Sequence, residues 1–327
     1  MKYEIITFGC QMNKSDSERI ANKLEKEEYK LIKSNESADL MVINVCSIRQ
    51  SAINRVFSRI QKIRLQQPKT KIILTGCILE KDKKKFKEQV NDIWTQIDFK
   101  KEPKCESSQQ AFIPIMTGCN NFCSYCVVPY TRGREKSQPA KKIIKQVRDL
   151  VKKGYDEIVL LGQNVNSYQD KNFDFPKLLK ALDDIPGYFQ IKFLTSHPKD
   201  MSDELIKVIA QSNKISKEIH LPVQSGDNQI LKKMNRGYTV GHYKNLIKKI
   251  RKKIPNARIS TDIIIGFPNE TEKQFKNTVK LIKEIKFSQA YISSYSPRNQ
   301  TSAAKLKDNI TSDEKKKRKR ILLQIFK

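Results

Sequence analysis

Six of the seven cysteines in this 327-residue chain fall into two groups of three. Cys119, Cys123 and Cys126 lie within eight residues in the stretch TGCNNFCSYCVVPYTRG, separated by three residues and then two. Cys10, Cys46 and Cys77 are 36 and 31 residues apart, but each closes a short apolar run: EIITFGC, DLMVINVC and KIILTGC. Three thiolates are one ligand short of a closed tetrahedral zinc site. The remaining thiol, Cys105, sits in a polar stretch with no second cysteine beside it, and His197, His220 and His242 fall far along the chain. Inert buried thiols fit poorly too, because Gly118, Asn120, Asn121 and Ser124 make residues 119–126 a polar loop. A four-iron cluster fits better: thiolates are its usual ligands, and three of them leave one iron open to bind something else.

Such ligands need a scaffold. The three N-terminal apolar runs read as strands, and the stretches between them, about residues 15–28 and 48–66, are compatible with amphipathic helices. Strand and helix in alternation predict a parallel sheet with right-handed crossovers. Its strands end on one edge, where ligand sites form, so Cys10, Cys46 and Cys77 are expected to meet there as a second three-thiolate site. A polar linker containing Cys105 follows, and Cys105 is expected to be exposed and no ligand. The runs AFIPIM, EIVLLG, IKFLTS, KEIHLPV, ISTDIIIGF and AYISSYS then alternate with helical patterns such as KKIIKQVRDLVKK and KNLIKKIRKKI. Six strand–helix repeats are too few for a closed eight-stranded barrel of about 250 residues and predict an open one. The fold class is therefore α/β: an N-terminal parallel sheet domain (1–97), a linker (98–111) and an open (β/α)6 partial barrel (112–304), followed by a basic C-terminal helix (305–327). Polar and glycine residues gather where the barrel strands end: Gly162, Gln163 and Asn164; Ser196 and His197; Gln224, Ser225 and Gly226; and Gly266.

Composition narrows the class. The chain is 38% hydrophobic and 30% charged, as in a globular protein, and no apolar run approaches the roughly 20 residues of a membrane span. The strand-like KYEIITF directly after Met1 leaves no room for a signal peptide, so a cytoplasmic protein with reduced thiols is expected. The net charge of +29 favours polyanionic partners, and a lysine-rich proteome would produce it equally. The terminal DEKKKRKRILLQIFK reads either as a solvated helix end packed on the barrel or as a basic arm touching phosphates.

The pattern C-x-x-x-C-x-aromatic-C, with Tyr125 as the aromatic, resembles the radical S-adenosylmethionine (SAM) enzymes. FGCQMN, NVCSIR and LTGC upstream of GCNNFCSYCVVPYTRGRE resemble the methylthiotransferases within that superfamily. The likeness continues through LLGQNVNSY, LTSHP, HLPVQSGDNQILKKMNRGYT, STDIIIGFPNET and YSPRNQTSAA, from Met1 to about Ala304. GCQMN, CSIR, CVVPYTRG, GQNVNSY and TSHP are similar to the branch acting on N6-isopentenyladenosine in tRNA. The branch acting on N6-threonylcarbamoyladenosine tends toward GCKVN, and the ribosomal-protein branch toward GCPKN.

The resemblance implies two four-iron (4Fe-4S) clusters, one on Cys119, Cys123 and Cys126 that binds and cleaves SAM, the other on Cys10, Cys46 and Cys77 that donates sulfur. One SAM supplies a methyl group and a second supplies the radical that removes hydrogen from C2 of the adenine at position 37. Tyr125 is expected near the adenine of SAM, and Gly162, Gln163, Ser196, Gln224, Asp262 and Gly266 become candidate walls for SAM, although ordinary barrel-loop structure accounts for each of these six singly. Asn13 and Arg49 could donate to cluster sulfurs, and a helix-start role suits Asn13 as well. No further catalytic residue is assigned. The implied partners are a tRNA anticodon stem-loop and a flavodoxin- or ferredoxin-type electron donor, with the enzyme a monomer. The family's terminal RNA-binding barrel (TRAM) is expected to be absent from this sequence, the stretch between Cys77 and Phe112 is short, and Asn299–Gln300 replaces a usual glycine before Thr301. The alternatives are the threonylcarbamoyladenosine branch and an RNA-binding protein with degenerate cluster loops.

Overall fold

The computed structural model describes residues 1–32, 36–47, 50–94 and 109–326. Cys105, Arg49 and the linker as far as residue 108 lie outside the described residues. The chain divides into two compact units. One begins at Met1 and takes in Cys126–Arg134 and Arg298–Gln300; the other comprises Gln109–Tyr125, Glu135–Pro297 and the chain from Thr301.

The first unit is built on β1 (Lys2–Thr7), β2 (Lys30–Leu31), β3 (Leu40–Val45), β4 (Lys71–Gly76) and β5 (Asp92–Ile93). They form the parallel sheet the apolar runs predict, in the order β2-β1-β3-β4-β5. All six residues of LMVINV in β3 are buried, the mark of a central strand covered on both faces. The side chains alternate as a strand requires. Met41, Ile43 and Val45 pack on Ile53, Val56 and Ile60 of α2 (Gln50–Gln66), while Leu40 and Val42 pack with Ile20 and Leu24 of α1 (Gln11–Lys26). The first helix starts about four residues before the expected 15. Its opening turns are polar but sheltered: Asn13, Ser15, Asp16, Ser17, Glu18 and Arg19 are buried. Internal bonds such as Arg19 Nη1 to the Ser15 carbonyl (2.9 Å) hold part of this polar set inside the helix, so polarity there does not signal a loop. The short helices α3 (Glu80–Phe86) and α4 (Val128–Thr131) complete the unit, and Arg298 pairs with Asp82 of α3 at 2.7 Å, both side chains buried.

The second unit carries six parallel strands in chain order: β6 (Gln110–Pro114), β9 (Glu157–Leu161), β12 (Gln190–Phe193), β13 (Glu218–His220), β14 (Arg258–Ile265) and β15 (Gln289–Ser294). β6, β9 and β12 form one sheet and β13, β14 and β15 another. Ile215, just ahead of β13, bridges Ile191 of β12 and joins them. Among the described residues nothing pairs β6 with β15, so the barrel is open, as the repeat count implied. The intervening helices are α5 (Ala140–Lys152), α6 (Phe175–Asp183), α7 (Asp203–Gln211), α8 (Asn228–Lys233), α9 (Val240–Lys253) and α10 (Glu272–Ile285). Asp174, Ser202, Asp227, Thr239 and Thr271 cap five of them with side-chain oxygens, each cap worth about 1 kcal/mol. Two small antiparallel pairs, β7 (Met116–Thr117) with β8 (Lys136–Ser137) and β10 (Gln169–Asp170) with β11 (Phe173–Asp174), stiffen the loops. No helix among the described residues is long and apolar enough to cross a membrane.

The C-terminal helix α11 spans Ser312–Gln324, shorter than the expected 305–327, and packs on β14 and β15. Its basic run is only partly available to a polyanion. Arg318 turns inward to Glu270 at 2.8 Å and Lys315 to Asp308 at 2.6 Å. The phosphate-arm reading is corrected for these two residues: their charges are neutralised within the barrel unit, while Lys316, Lys317 and Arg320 remain exposed.

Candidate metal centres and the barrel mouth

In the N-terminal unit, Cys46 and Cys77 directly follow β3 and β4, and Cys10 forms the extended N-cap of α1 just beyond β1. These are the three adjacent central strands, so the three thiols share one sheet edge. The glycines preceding Cys10 and Cys77 make this approach feasible. Gly9 has φ +122° and a Cβ there would stand 2.7 Å from Cys46 Cβ; Gly76 has φ +101° and a Cβ would stand 2.4 Å from Asn44 Oδ1. Any side chain would push these loops apart. Burial pushes the Cys77 thiol up to about 11, opposed by the Arg132 guanidinium and reinforced by Cys46 and Cys10 nearby.

Asn13 sits at the centre of this edge. Its amide donates to the carbonyls of Phe8 (2.8 Å) and Val45 (2.9 Å), fastening the loops that lead to Cys10 and Cys46. Its amide N–H groups go to backbone, its Oδ1 accepts from the thiols of Cys10 (3.9 Å) and Cys77 (4.0 Å), and it stands at N3 in the first turn of α1, whose N-cap is Cys10. The reason is position, since an N3 residue one turn into α1 points back across the sheet edge.

In the barrel unit, Cys119 and Cys123 are buried, and Cys126, partly buried, opens the segment that folds with the N-terminal unit. The loop holding Cys119 and Cys123 is stitched in place by distant residues. Gly118 N–H donates to Gln163 Oε1 (2.7 Å), Ser124 N–H to the Met234 carbonyl (3.0 Å), and Ala303 N–H to the Ser124 carbonyl (2.8 Å). Asn235 Nδ2 caps the Phe122 carbonyl at 3.0 Å, where Phe122 adopts φ +46°. Arg236, buried, donates to Cys123 Sγ (3.3 Å), the Tyr125 hydroxyl (3.4 Å), the Tyr238 hydroxyl (3.0 Å) and the Pro222 carbonyl (2.8 Å). Burial pushes the Cys119 thiol up, with Glu135 and Cys123 adding to the effect. Among the described residues no three Cys, His, Asp or Glu side chains are gathered around a single ion. Thiolates that each bind a different iron of a cluster stand farther apart than ligands of one ion.

The strand ends of the barrel carry buried polar atoms with no hydrogen-bond partner among the described residues: Asn164 Oδ1, Ser196 Oγ, His197 Nε2 and Gln224 Oε1. Such atoms cost about 1–3 kcal/mol each unless a ligand or water meets them. His197 Nδ1 accepts from Lys199 N–H (3.3 Å), which leaves the proton on Nε2. Burial, then the charges of Arg236 and Lys199, push its pKa down to about 2, so the ring is a neutral donor. Thr195 and Gln224 both hold φ +70° at strand ends, a conformation uncommon for non-glycine residues. The remaining candidates for SAM lie as follows. Gly162 packs beneath Met116, Tyr125 packs against the cluster of Ile230, Met234, Phe267, Tyr295 and Ala303, and Gly266 admits the Lys315 stem of α11. Asp262 lies within β14 rather than beyond its end, with Oδ2 3.1 Å from His220 Nε2. Sequence reasoning passed over Arg132 and Arg236; the runs PYTRG and MNRGYT contain them, but no local spacing links either to a cysteine.

Residues 113–282 match the Radical SAM superfamily, and residues 2–96 match the Uncharacterized protein family UPF0004. The chain is 42% identical over 365 residues to a tRNA-2-methylthio-N(6)-dimethylallyladenosine synthase of Thermoanaerobacter pseudethanolicus, covering 99% of this chain and 77% of that protein. Proteins of the same name from Clostridium botulinum and Carboxydothermus hydrogenoformans are 39% and 40% identical, covering 99% of this chain and 81% and 82% of theirs. Among solved structures, the radical S-adenosylmethionine methyltransferase TsrM of Kitasatospora setae, with cobalamin and a 4Fe-4S cluster bound, superposes with a TM-score of 0.63 at 11% identity over 93% of this chain and 77% of its own. The cobalamin-dependent S-adenosylmethionine radical enzyme OxsB gives 0.60 at 11% identity over 99% of this chain and 56% of its own. These two share the fold.

Proposed function

Because this chain belongs to the tRNA-2-methylthio-N(6)-dimethylallyladenosine synthase family of radical SAM enzymes, we propose that it adds a methylthio group to C2 of N6-isopentenyladenosine in tRNA. A 4Fe-4S cluster with an open iron supplies one-electron cleavage of SAM, the means of removing hydrogen from an unactivated aromatic carbon. In this reading Cys119, Cys123 and Cys126 hold that cluster, and Cys10, Cys46 and Cys77 hold a second that serves sulfur transfer. The observation that carries it is the repeated donor set: three cysteines in each group, with a buried arginine directed at a thiol of each, Arg236 at Cys123 and Arg132 at Cys77.

The protein's own groups supply binding and orientation. Gln163 fixes the entry to the cysteine loop, and Arg236 holds Cys123 and Tyr125 in one arrangement. Asn164, Ser196, His197 and Gln224 offer unpaired acceptors and donors suited to SAM, whose amine, carboxylate and ribose need both. Tyr125, Gly162, Asp262 and Gly266 complete the proposed wall. The substrate base comes from a single-stranded anticodon loop, where it can be unstacked and turned into the barrel. The enzyme works as a cytoplasmic monomer with an electron donor of flavodoxin or ferredoxin type.

The test is mass spectrometry of tRNA nucleosides after anaerobic reconstitution with iron and sulfide, followed by SAM, dithionite and prenylated, unthiolated tRNA. The expected product is the 2-methylthio derivative of N6-isopentenyladenosine. Equal turnover on threonylcarbamoylated tRNA would move the protein to the neighbouring branch. A reconstituted protein that cleaves SAM on neither substrate would overturn the enzymatic reading.

A further inference from the structure

Arg132 stands directly after α4, six residues beyond Cys126, yet folds with the N-terminal unit. Its Nε lies 2.9 Å from Cys77 Sγ, and its Nη2 lies 3.0 Å from Asn13 Oδ1 and 2.9 Å from Asp16 Oδ2. Arg132 is 8% exposed and Asp16 6%. A buried guanidinium loses most of its hydration, which one surface-type ion pair would not offset. Here every contact is directional. Asp16 neutralises the charge, and Asn13, which brackets the backbones leading to Cys10 and Cys46, orients the fork. One planar group thus reaches one thiol directly and the loops of the other two through Asn13. A lysine, with a point charge and no fork, would not span Cys77, Asn13 and Asp16 together.

We propose that Arg132 is a positioning residue for an iron–sulfur cluster on Cys10, Cys46 and Cys77, donating an N–H···S bond to the Cys77 thiolate and thereby setting the reduction potential of that cluster. The proposal rests on the reading that these three cysteines hold a cluster. A hydrogen bond and a fixed positive charge at a ligand sulfur stabilise the reduced, more negative state, and so raise the potential. The same bond restrains Cys77 against dissociation.

The experiment uses the full chain carrying Cys119→Ala, Cys123→Ala and Cys126→Ala, so that only the N-terminal cluster reports. Into this parent go Arg132→Lys, Arg132→Met, and the pair Asp16→Asn with Arg132→Met, which removes both buried charges and protects against simple misfolding. Iron content, the rate of iron loss to a chelator, a redox titration followed by electron paramagnetic resonance, and thermal unfolding are measured. The expected results are about four irons in the parent, a negative shift of midpoint potential and several-fold faster iron loss in Arg132→Met, and an intermediate shift in Arg132→Lys. The paired variant should regain unfolding temperature without regaining potential. If it regains both, or if Arg132→Met keeps the parent's potential and chelation rate, Arg132 is a structural ion-pair partner only and the proposal fails alone. A parent without iron removes the cluster reading, and the proposal with it.

Discussion

Replacing Arg318 by Met separates a buried structural cation from an exposed phosphate contact. Arg318 is 4% exposed and Glu270 1%. Its Nη1 donates to Glu270 Oε2 (2.8 Å) and to the Glu270 carbonyl (3.1 Å), its Nε donates to Glu314 Oε1 (2.9 Å), and the guanidinium lies 5.3 Å from the Phe275 ring centre. The Glu314 contact, an i,i+4 helical pair, contributes only about 0.3–0.5 kcal/mol. Removing one partner of a buried pair, by contrast, strands the other and costs about 3–5 kcal/mol, so Arg318→Met should destabilise the barrel unit by about 4 kcal/mol. Burial holds the Glu270 carboxyl above its usual range, while the Gly266 N–H and Arg318 restrain the rise. A group raised in the folded state contributes stability at low pH that is lost as pH climbs through the folded value. Without Arg318 that value rises further. The deficit of the variant should therefore be largest near neutrality and shrink as pH falls into the carboxylate range. Urea unfolding of wild type, Arg318→Met, Glu270→Gln and the double variant at about pH 8 and about pH 5 measures this, and the double variant should recover most of the loss. A deficit below about 1 kcal/mol, the scale of an exposed pair, would refute the reasoning. So would equal deficits at both pH values, or weakened tRNA binding with unchanged stability.

Anaerobic reconstitution should yield about eight irons per chain, and Ala at either cysteine triplet should halve that number, measured by iron analysis. Only loss of Cys119, Cys123 and Cys126 should abolish SAM cleavage, and Cys105→Ser should keep full iron. His197, held neutral in the fold, is protonated on unfolding below about pH 6.5, so stability falls as pH drops through that region. His197→Gln should flatten the acid limb in a pH series of denaturation midpoints; an unchanged slope would place the ring in water. Affinity for tRNA should fall steeply with salt across many tRNAs, as phosphate contacts release counterions, while turnover depends on the isopentenyl group. Filter binding over a salt series checks the first half, and nucleoside analysis with prenylated and unprenylated stem-loops checks the second.

Much of the scaffold could be read locally. Apolar runs of strand length, separated by helical periodicity, specify parallel β/α units because burying a strand on both faces demands that pattern, and β3 is buried throughout. The three N-terminal cysteines could be placed on one edge for the same reason: parallel strands all end on one side. The first helix was read as starting at residue 15 rather than 11 where its buried turns are polar, since polarity alone does not distinguish a loop from a helix whose polar turns are sheltered inside. The sequence by itself thus determined the three cysteine-ended strands, the six barrel strands and which thiols could share an edge, while the order β2-β1-β3-β4-β5 and the short strands came only with the fold. Tertiary structure decided what each charge does. Arg132 meets Cys77 across 55 residues of chain and Arg236 meets Cys123 across 113. Arg318, in a run indistinguishable from a solvated basic helix, turns to a buried glutamate. Periodicity reports which face of an element is covered. An ion pair or hydrogen bond depends instead on which side chains are adjacent after the chain has folded, and no local pattern encodes that distance.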